Sequence, residues 1–250
     1  METLNQVWSP APKDLTVADH EVHVWRASLE LPSSQVQRLR GILTDDELDR
    51  AKRFSFERDR QRFIAARGIL RSILSHYITI NPGDLRFYYN QYGKPFLAPD
   101  FSSYLHNFNL SHSGHMALYA ITRNREIGVD VERVHSGFAY EEIAKHFFSV
   151  NEVAILGAIP IEKRLEAFYQ CWTRKEAYIK AHGKGLSLPL DSFDVSFAPW
   201  EPPMLLSTKD AHQEGSLWTL LDLKPGLGNM GALAVKGTGC RFRYWEWNQL

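Results

Sequence analysis

The sequence predicts an α+β protein made of two similar lobes in one chain. Three observations carry this expectation. Apolar residues recur at helical spacing over two long stretches, about 57–77 and 161–181. Short alternating runs rich in β-branched and aromatic residues flank both stretches. The order strand, helices, strands occurs once in each half, which places the lobes at 1–121 and 122–250. The chain has 250 residues, 44% of them hydrophobic and 23% charged, so disordered and low-complexity classes are excluded and each half is long enough to bury a core.

In the first half, Glu21–Trp25 alternates as a strand. Thr44-Asp-Asp-Glu47 is a capping box, and Leu48, Ala51 and Phe54 follow at helical spacing. A second helix, about 57–77, turns Phe63, Ala66, Leu70, Ile73 and Tyr77 inward. Asn81-Pro-Gly-Asp84 is a turn. Strands are expected at 85–89 and 116–121, with loops between them that include Tyr92–Phe96 and Phe108–Gly114. In the second half a strand is expected at 127–131 and a helix at 140–148. Ser149-Val-Asn-Glu152 is another capping box, and a helix at about 161–181 is stopped by Gly183 and Gly185. Strands close the chain near 193–197, 217–223, 232–235 and 242–247. Gly226–Gly231 matches G-x-G-x-x-G, but a short β-like run follows it instead of a helix, so it is read as a loop between strands.

Lys+Arg and Asp+Glu number 29 each, which argues against a chain-wide binder of nucleic acid or membrane. Two cysteines suit a reducing compartment, no apolar run approaches ~18 residues, and the N-terminus lacks a signal-peptide layout; a cytoplasmic protein is expected. Charge is uneven locally. Arg50, Lys52, Arg53, Arg58, Arg60, Arg62, Arg67 and Arg71 face only Glu57 and Asp59 between residues 50 and 71, a cationic patch suited to polyphosphate or an acidic partner. A solvated helix face is the preferred reading for most of the eight, with Arg50 and Arg62 kept as binding candidates.

Three acids stand out. Along 127–132, Ile127, Val129 and Val131 share one strand face, and Gly128, Asp130 and Glu132 share the other. Two carboxylates on one face can hold a hard divalent cation, with the glycine leaving room beside it. Glu176 lies in an apolar helical stripe with Leu165, Phe168, Tyr169, Trp172 and Ile179, where a carboxylate needs a partner or a metal. Lys180 lies one turn on; an ordinary intrahelical pair with Glu176 is the competing reading. Lys94 sits in a tight turn with Gly93 and Pro95, and Ser111 and His112 precede Gly114; such groups suit anions.

Trp172–Lys180 together with Gly128–Glu132 resembles the paired signature of the 4'-phosphopantetheinyl transferases, in their longer, two-lobed type. The resemblance runs from about Thr44 to Phe197 and includes Gly93-Lys-Pro95, Phe108–Gly114, Phe147-Phe-Ser149 and Gly183–Phe193. It implies lobes related by pseudo-twofold symmetry with the active site at their interface. It implies transfer of the phosphopantetheine arm of coenzyme A to a serine of an apo acyl or peptidyl carrier protein of fatty-acid, polyketide or peptide synthesis. Adenosine 3',5'-bisphosphate would be released and magnesium required. By position Asp130, Glu132 and Glu176 match metal ligands, Lys180 a lysine near the pyrophosphate, and Glu152 a helper acid. Arg50, Arg62, Gly93, Lys94, Pro95, Ser111 and His112 match residues around the nucleotide. Glu176, Lys180 and Glu152 are thus the catalytic candidates. Glu47 departs from relatives that carry lysine there. Two lobes in one chain can form the site alone, so a monomer is expected.

Overall fold

The protein is described here by a computed structural model covering residues 6–104, 106–208 and 214–248. Its strands are β1 (Ser9–Pro10), β2 (Glu21–Ser28), β3 (Phe87–Tyr89), β4 (Pro95–Leu97), β5 (His106–Ser113), β6 (Met116–Arg123), β7 (Ile127–Arg133), β8 (Phe193–Val195), β9 (Leu205–Thr208), β10 (Trp218–Leu223), β11 (Asn229–Lys236) and β12 (Arg241–Glu246). Its α-helices are α1 (Ser33–Arg40), α2 (Asp45–Lys52), α3 (Glu57–Ile78), α4 (Tyr140–Phe147), α5 (Val150–Ala158) and α6 (Ile161–His182). The fold is mixed α+β. Both capping boxes start helices, α2 at Thr44 and α5 at Ser149. Gly183 ends α6 in the left-handed conformation, at φ 68°.

One sheet has the order β1-β12-β2-β6-β5 and another β10-β11-β7; β3–β4 and β8–β9 are separate hairpins. Helix α3 packs Ile69, Leu70, Ile73 and Leu74 against Trp25, Ala27, Tyr119 and Ile121 of the first sheet. Helix α6 packs Cys171, Tyr178 and Ile179 with Ala232, Ala234 and Trp218 of the second. A third cluster lies between the sheets and joins Val22, Val24, Leu118 and Ala120 to Ile127, Val129, Val131, Leu233 and Val235. The two halves therefore share a core as well as burying their own. Among the described residues no helix is long and apolar enough to cross a membrane.

Two sequence expectations need correction. The stretch Phe108–Gly114 is not a loop; to Ser113 it is strand β5, paired along its length with β6. Its polar alternation has a physical reason. Asn109 Oδ1 accepts from Val129 N at 2.9 Å, Ser111 Oγ donates to Asp130 at 2.9 Å, and Ser113 Oγ donates to Glu132 at 2.8 Å. One face of β5 thus meets β7 through side chains where the two sheets abut. The second correction concerns β12, which lies in the second half of the sequence but pairs in parallel with β2, Arg241 opposite Glu21 through Glu246 opposite Arg26.

Candidate active site

Strand β7 and helix α6 cross closely because Gly128 has no side chain. A Cβ there would lie 2.0 Å from the Ala177 carbonyl oxygen and 2.3 Å from Ala181 N. The glycine is required by the helix, and does not leave space for a cation as the sequence suggested. The crossing brings Asp130 and Glu132 of β7 to the face that carries Glu176 and Lys180 of α6. Lys180 Nζ donates to Asp130 Oδ1 at 2.5 Å and to Ser111 Oγ at 2.8 Å. The intrahelical Glu176–Lys180 pair is thus replaced by a bridge between elements.

The three carboxylates repel one another. Glu176 is pushed up to about 7 by burial, then by Asp130, with Lys180 opposing and Glu132 adding a smaller push. Glu132 is raised by burial and by Asp130, while hydrogen bonds from Ser113 and Trp172 hold it down. Asp130 Oδ2 is buried with no hydrogen-bond partner. As they stand, among the described residues, no three His, Cys, Asp or Glu side chains converge on a point that would hold a metal ion. The donor chemistry nevertheless fits a hard divalent ion. Three carboxylates lie around a single lysine that pairs directly with Asp130 alone, and one buried carboxylate oxygen lacks a hydrogen-bond partner.

Beside this cluster is a cleft of about 310 Å³, lined by Arg50, Phe63, Arg67, Tyr89, Gly93, Pro95, Ser111, His112 and Lys180 among others. Six of the expected substrate-binding residues therefore meet: Arg50, Gly93, Pro95, Ser111, His112 and Lys180. Arg50 lies over the Phe63 ring at 5.6 Å and makes no ion pair among the described residues. His112 is held below the ordinary histidine value by burial, then by Lys180 and Arg50.

Three expected residues are engaged elsewhere. Arg62 is bound to Glu30 at 2.9 Å and does not line the cleft. Lys94 turns its ammonium onto backbone carbonyls, those of Ile127, Lys180 and Ala181 at 3.1, 2.7 and 2.9 Å. Burial pushes it down to about 8. Glu152 is 1% exposed. One of its oxygens accepts from Val195 N at 3.0 Å, and the other from Ser149 N at 3.0 Å and Lys175 Nζ at 2.8 Å. None of these partners belongs to the carboxylate cluster, and Glu152 does not line the cleft.

Arg67 was not singled out by the sequence but lines the cleft. Glu47, 2% exposed, accepts from Arg67 Nε at 2.6 Å and Arg71 Nε at 2.7 Å, and Arg67 also reaches the Tyr89 hydroxyl. Glu47 thus anchors an arginine at the cleft. The surplus of cations on α3 was the available signal for Arg67, but that signal does not distinguish it from its neighbours.

A family model described as the 4'-phosphopantetheinyl transferase superfamily matches residues 126–228. Another, described as 4'-phosphopantetheinyl transferase, N-terminal, matches residues 25–124. The chain is 41% identical to the 4'-phosphopantetheinyl transferase HetI of Nostoc sp. (strain PCC 7120), over 98% of this chain and 100% of that one. It is 36% identical to the 4'-phosphopantetheinyl transferase ffp of Bacillus subtilis, over 66% of this chain and 71% of that one. It is 35% identical to the 4'-phosphopantetheinyl transferase Sfp of Bacillus subtilis (strain 168), with the same two coverages. The chain belongs to the 4'-phosphopantetheinyl transferase superfamily. It is an enzyme of that family, a transferase.

Proposed function

We propose that this enzyme moves the 4'-phosphopantetheine arm of coenzyme A onto a serine hydroxyl of an apo acyl or peptidyl carrier protein and releases adenosine 3',5'-bisphosphate. It would work in the cytoplasm as a monomer, with magnesium held by Asp130, Glu132 and Glu176 between two related lobes. One observation carries this reading: a cleft lined by Arg50, Arg67, His112 and Lys180 adjoins three mutually repelling carboxylates through the Lys180–Asp130 bridge. That arrangement suits a polyanion at the cations and a hard divalent ion at the acids.

The residues' own chemistry supports the reaction. Arg50 and Arg67 offer forked guanidinium donors to nucleotide phosphate oxygens. His112 contributes a ring N–H to the same oxygens. Lys180 uses two of its three ammonium hydrogens on Asp130 and Ser111. The third serves a diphosphate oxygen, so one side chain ties the substrate to the carboxylate pair. The carrier serine oxygen attacks the β-phosphorus, the bond to the bridging oxygen breaks, and the bisphosphate departs. The proton of the serine passes to a base at the carboxylate cluster, with Glu176 or a water held there the first candidate. When bound, magnesium would neutralise charge on the diphosphate oxygens and the leaving group. Transfer of this kind is catalysed mainly by positioning and charge stabilisation.

The test is mass spectrometry of purified apo carrier proteins incubated with the enzyme, coenzyme A and magnesium. A gain of about 340 Da on one serine is expected for the added arm. No gain on carriers of all three synthetic classes would contradict the proposal.

A further inference from the structure

We propose that Lys94, acting with Asn90, is a clamp that fastens the β3–β4 hairpin to the last turn of α6, and so holds the two walls of the cleft at a set distance. The inference rests on the transferase reading of the cleft, but it assigns Lys94 a positioning role in place of contact with the nucleotide.

The argument begins with donors. A lysine ammonium has three hydrogens and no acceptor. In Lys94 all three have carbonyl partners, Ile127 O at 3.1 Å, Lys180 O at 2.7 Å and Ala181 O at 2.9 Å. None is left for a phosphate. The last carbonyls of a helix lack intrahelical partners and carry the negative end of its dipole, so a buried cation is well placed there. Through one atom Lys94 joins the hairpin to both α6 and β7.

Asn90 completes the fastening from the other end of the same turn. Its Oδ1 accepts from Tyr92 N and Lys94 N, each at 3.0 Å, which shapes the turn. Its Nδ2 donates to Gly183 O at 2.6 Å, just beyond α6. Gly183 is fitted to this contact. It takes φ +68°, and a Cβ there would lie 2.9 Å from Lys94 Cδ and 3.3 Å from Asn90 Nδ2. The elements so joined are the cleft walls. Tyr89, Gly93 and Pro95 line it from the hairpin, and Lys180 lines it from α6. Lys180 is held twice, by its carbonyl to Lys94 and by its side chain to Asp130.

The experiment compares wild type with Lys94→Met, which keeps the aliphatic stem, and with Asn90→Ala. Coenzyme A affinity is measured by calorimetry at two salt concentrations. Amide exchange over residues 176–188 is measured in the free protein. Both variants are expected to weaken coenzyme A about tenfold, the scale of losing buried charge-assisted hydrogen bonds, with the wild-type salt dependence kept. Both should speed exchange in the last turn of α6. The proposal is overturned if Lys94→Met weakens binding with a salt slope reduced by about one charge while Asn90→Ala binds normally and exchange is unchanged. If Lys94→Met does not fold, Asn90→Ala decides alone by the same readouts. If wild type binds no coenzyme A, the transferase reading falls, and exchange in the free protein still decides the clamp.

Discussion

At the scale of single residues, half-buried Glu176 and fully buried Glu152 are both raised above their ordinary values, yet they have different fates. Glu176 is pushed up to about 7 from 4.5, first by burial and then by Asp130. Between those values the folded, metal-free protein holds a proton that the unfolded chain has released. Its contribution to stability therefore falls as pH rises through that window. Glu176→Gln should flatten the decline, measured by thermal unfolding in chelator from pH 4.5 to 8; equal slopes for both proteins would count against the assignment. A divalent ion needs the ionised carboxylate, so its affinity should drop as pH falls below about 7. Glu152 has its oxygens taken by two backbone amides and Lys175, itself fully buried. Glu152→Gln leaves that ammonium without its counter-charge and should cost about 3–5 kcal/mol of stability. Well below the lowered Tm, turnover should stay near wild type; a large loss in fully folded protein would restore a catalytic role.

At the scale of elements, the site depends on how closely β7 and α6 cross. Gly128→Ala would drive a methyl into the backbone of Ala177 and Ala181. Overpacking of this kind costs about 1–3 kcal/mol. Because β7 carries Asp130 and α6 carries Glu176, turnover should fall together with Tm; a normal Tm with normal turnover would contradict the close packing. Helices α2, α3 and α6 and strands β2 and β7 were legible in the sequence, since each has a cap, a period or an alternation of its own. Helix α1 was not, because Pro32 precedes it without a side-chain cap and its face buries only Val36 and Leu39. Strand β5 resembled a loop because Asn109, Ser111 and Ser113 are polar, and only the neighbouring strand reveals that they point into a seam. The three acids were legible from spacing. The partner of Lys180 was not, because Asp130 lies fifty residues away on another element.

At the scale of the molecule, long-range pairing limits what the sequence can reveal. Nothing local to Arg241–Glu246 announces a parallel partner at Glu21–Arg26. Long-range pairing also decides how much of the cationic patch stays free. Glu30, Glu47 and Asp49 lie outside the stretch 50–71 yet pair with Arg62, Arg67, Arg71 and Lys52. Much of the charge is thus neutralised, and steering of an acidic carrier would fall to few side chains, Arg50 among them. The shared core and the returning β12 also predict that the halves do not fold separately. A fragment of residues 1–121 would lack β12 beside β2 and the end of β6, and should show no cooperative unfolding by circular dichroism. A cooperative transition in that fragment would contradict the shared-core account.

The central claim is that Asp130 and Glu176, carried by a strand and a helix far apart in sequence, act on one diphosphate. Single-turnover transfer to an apo carrier, at saturating magnesium and coenzyme A, tests it most directly in Asp130→Ala and Glu176→Ala. Each variant should keep its fold and lose at least ~100-fold in rate, the scale of removing a principal electrostatic element. Near-normal rates in both folded variants would contradict it.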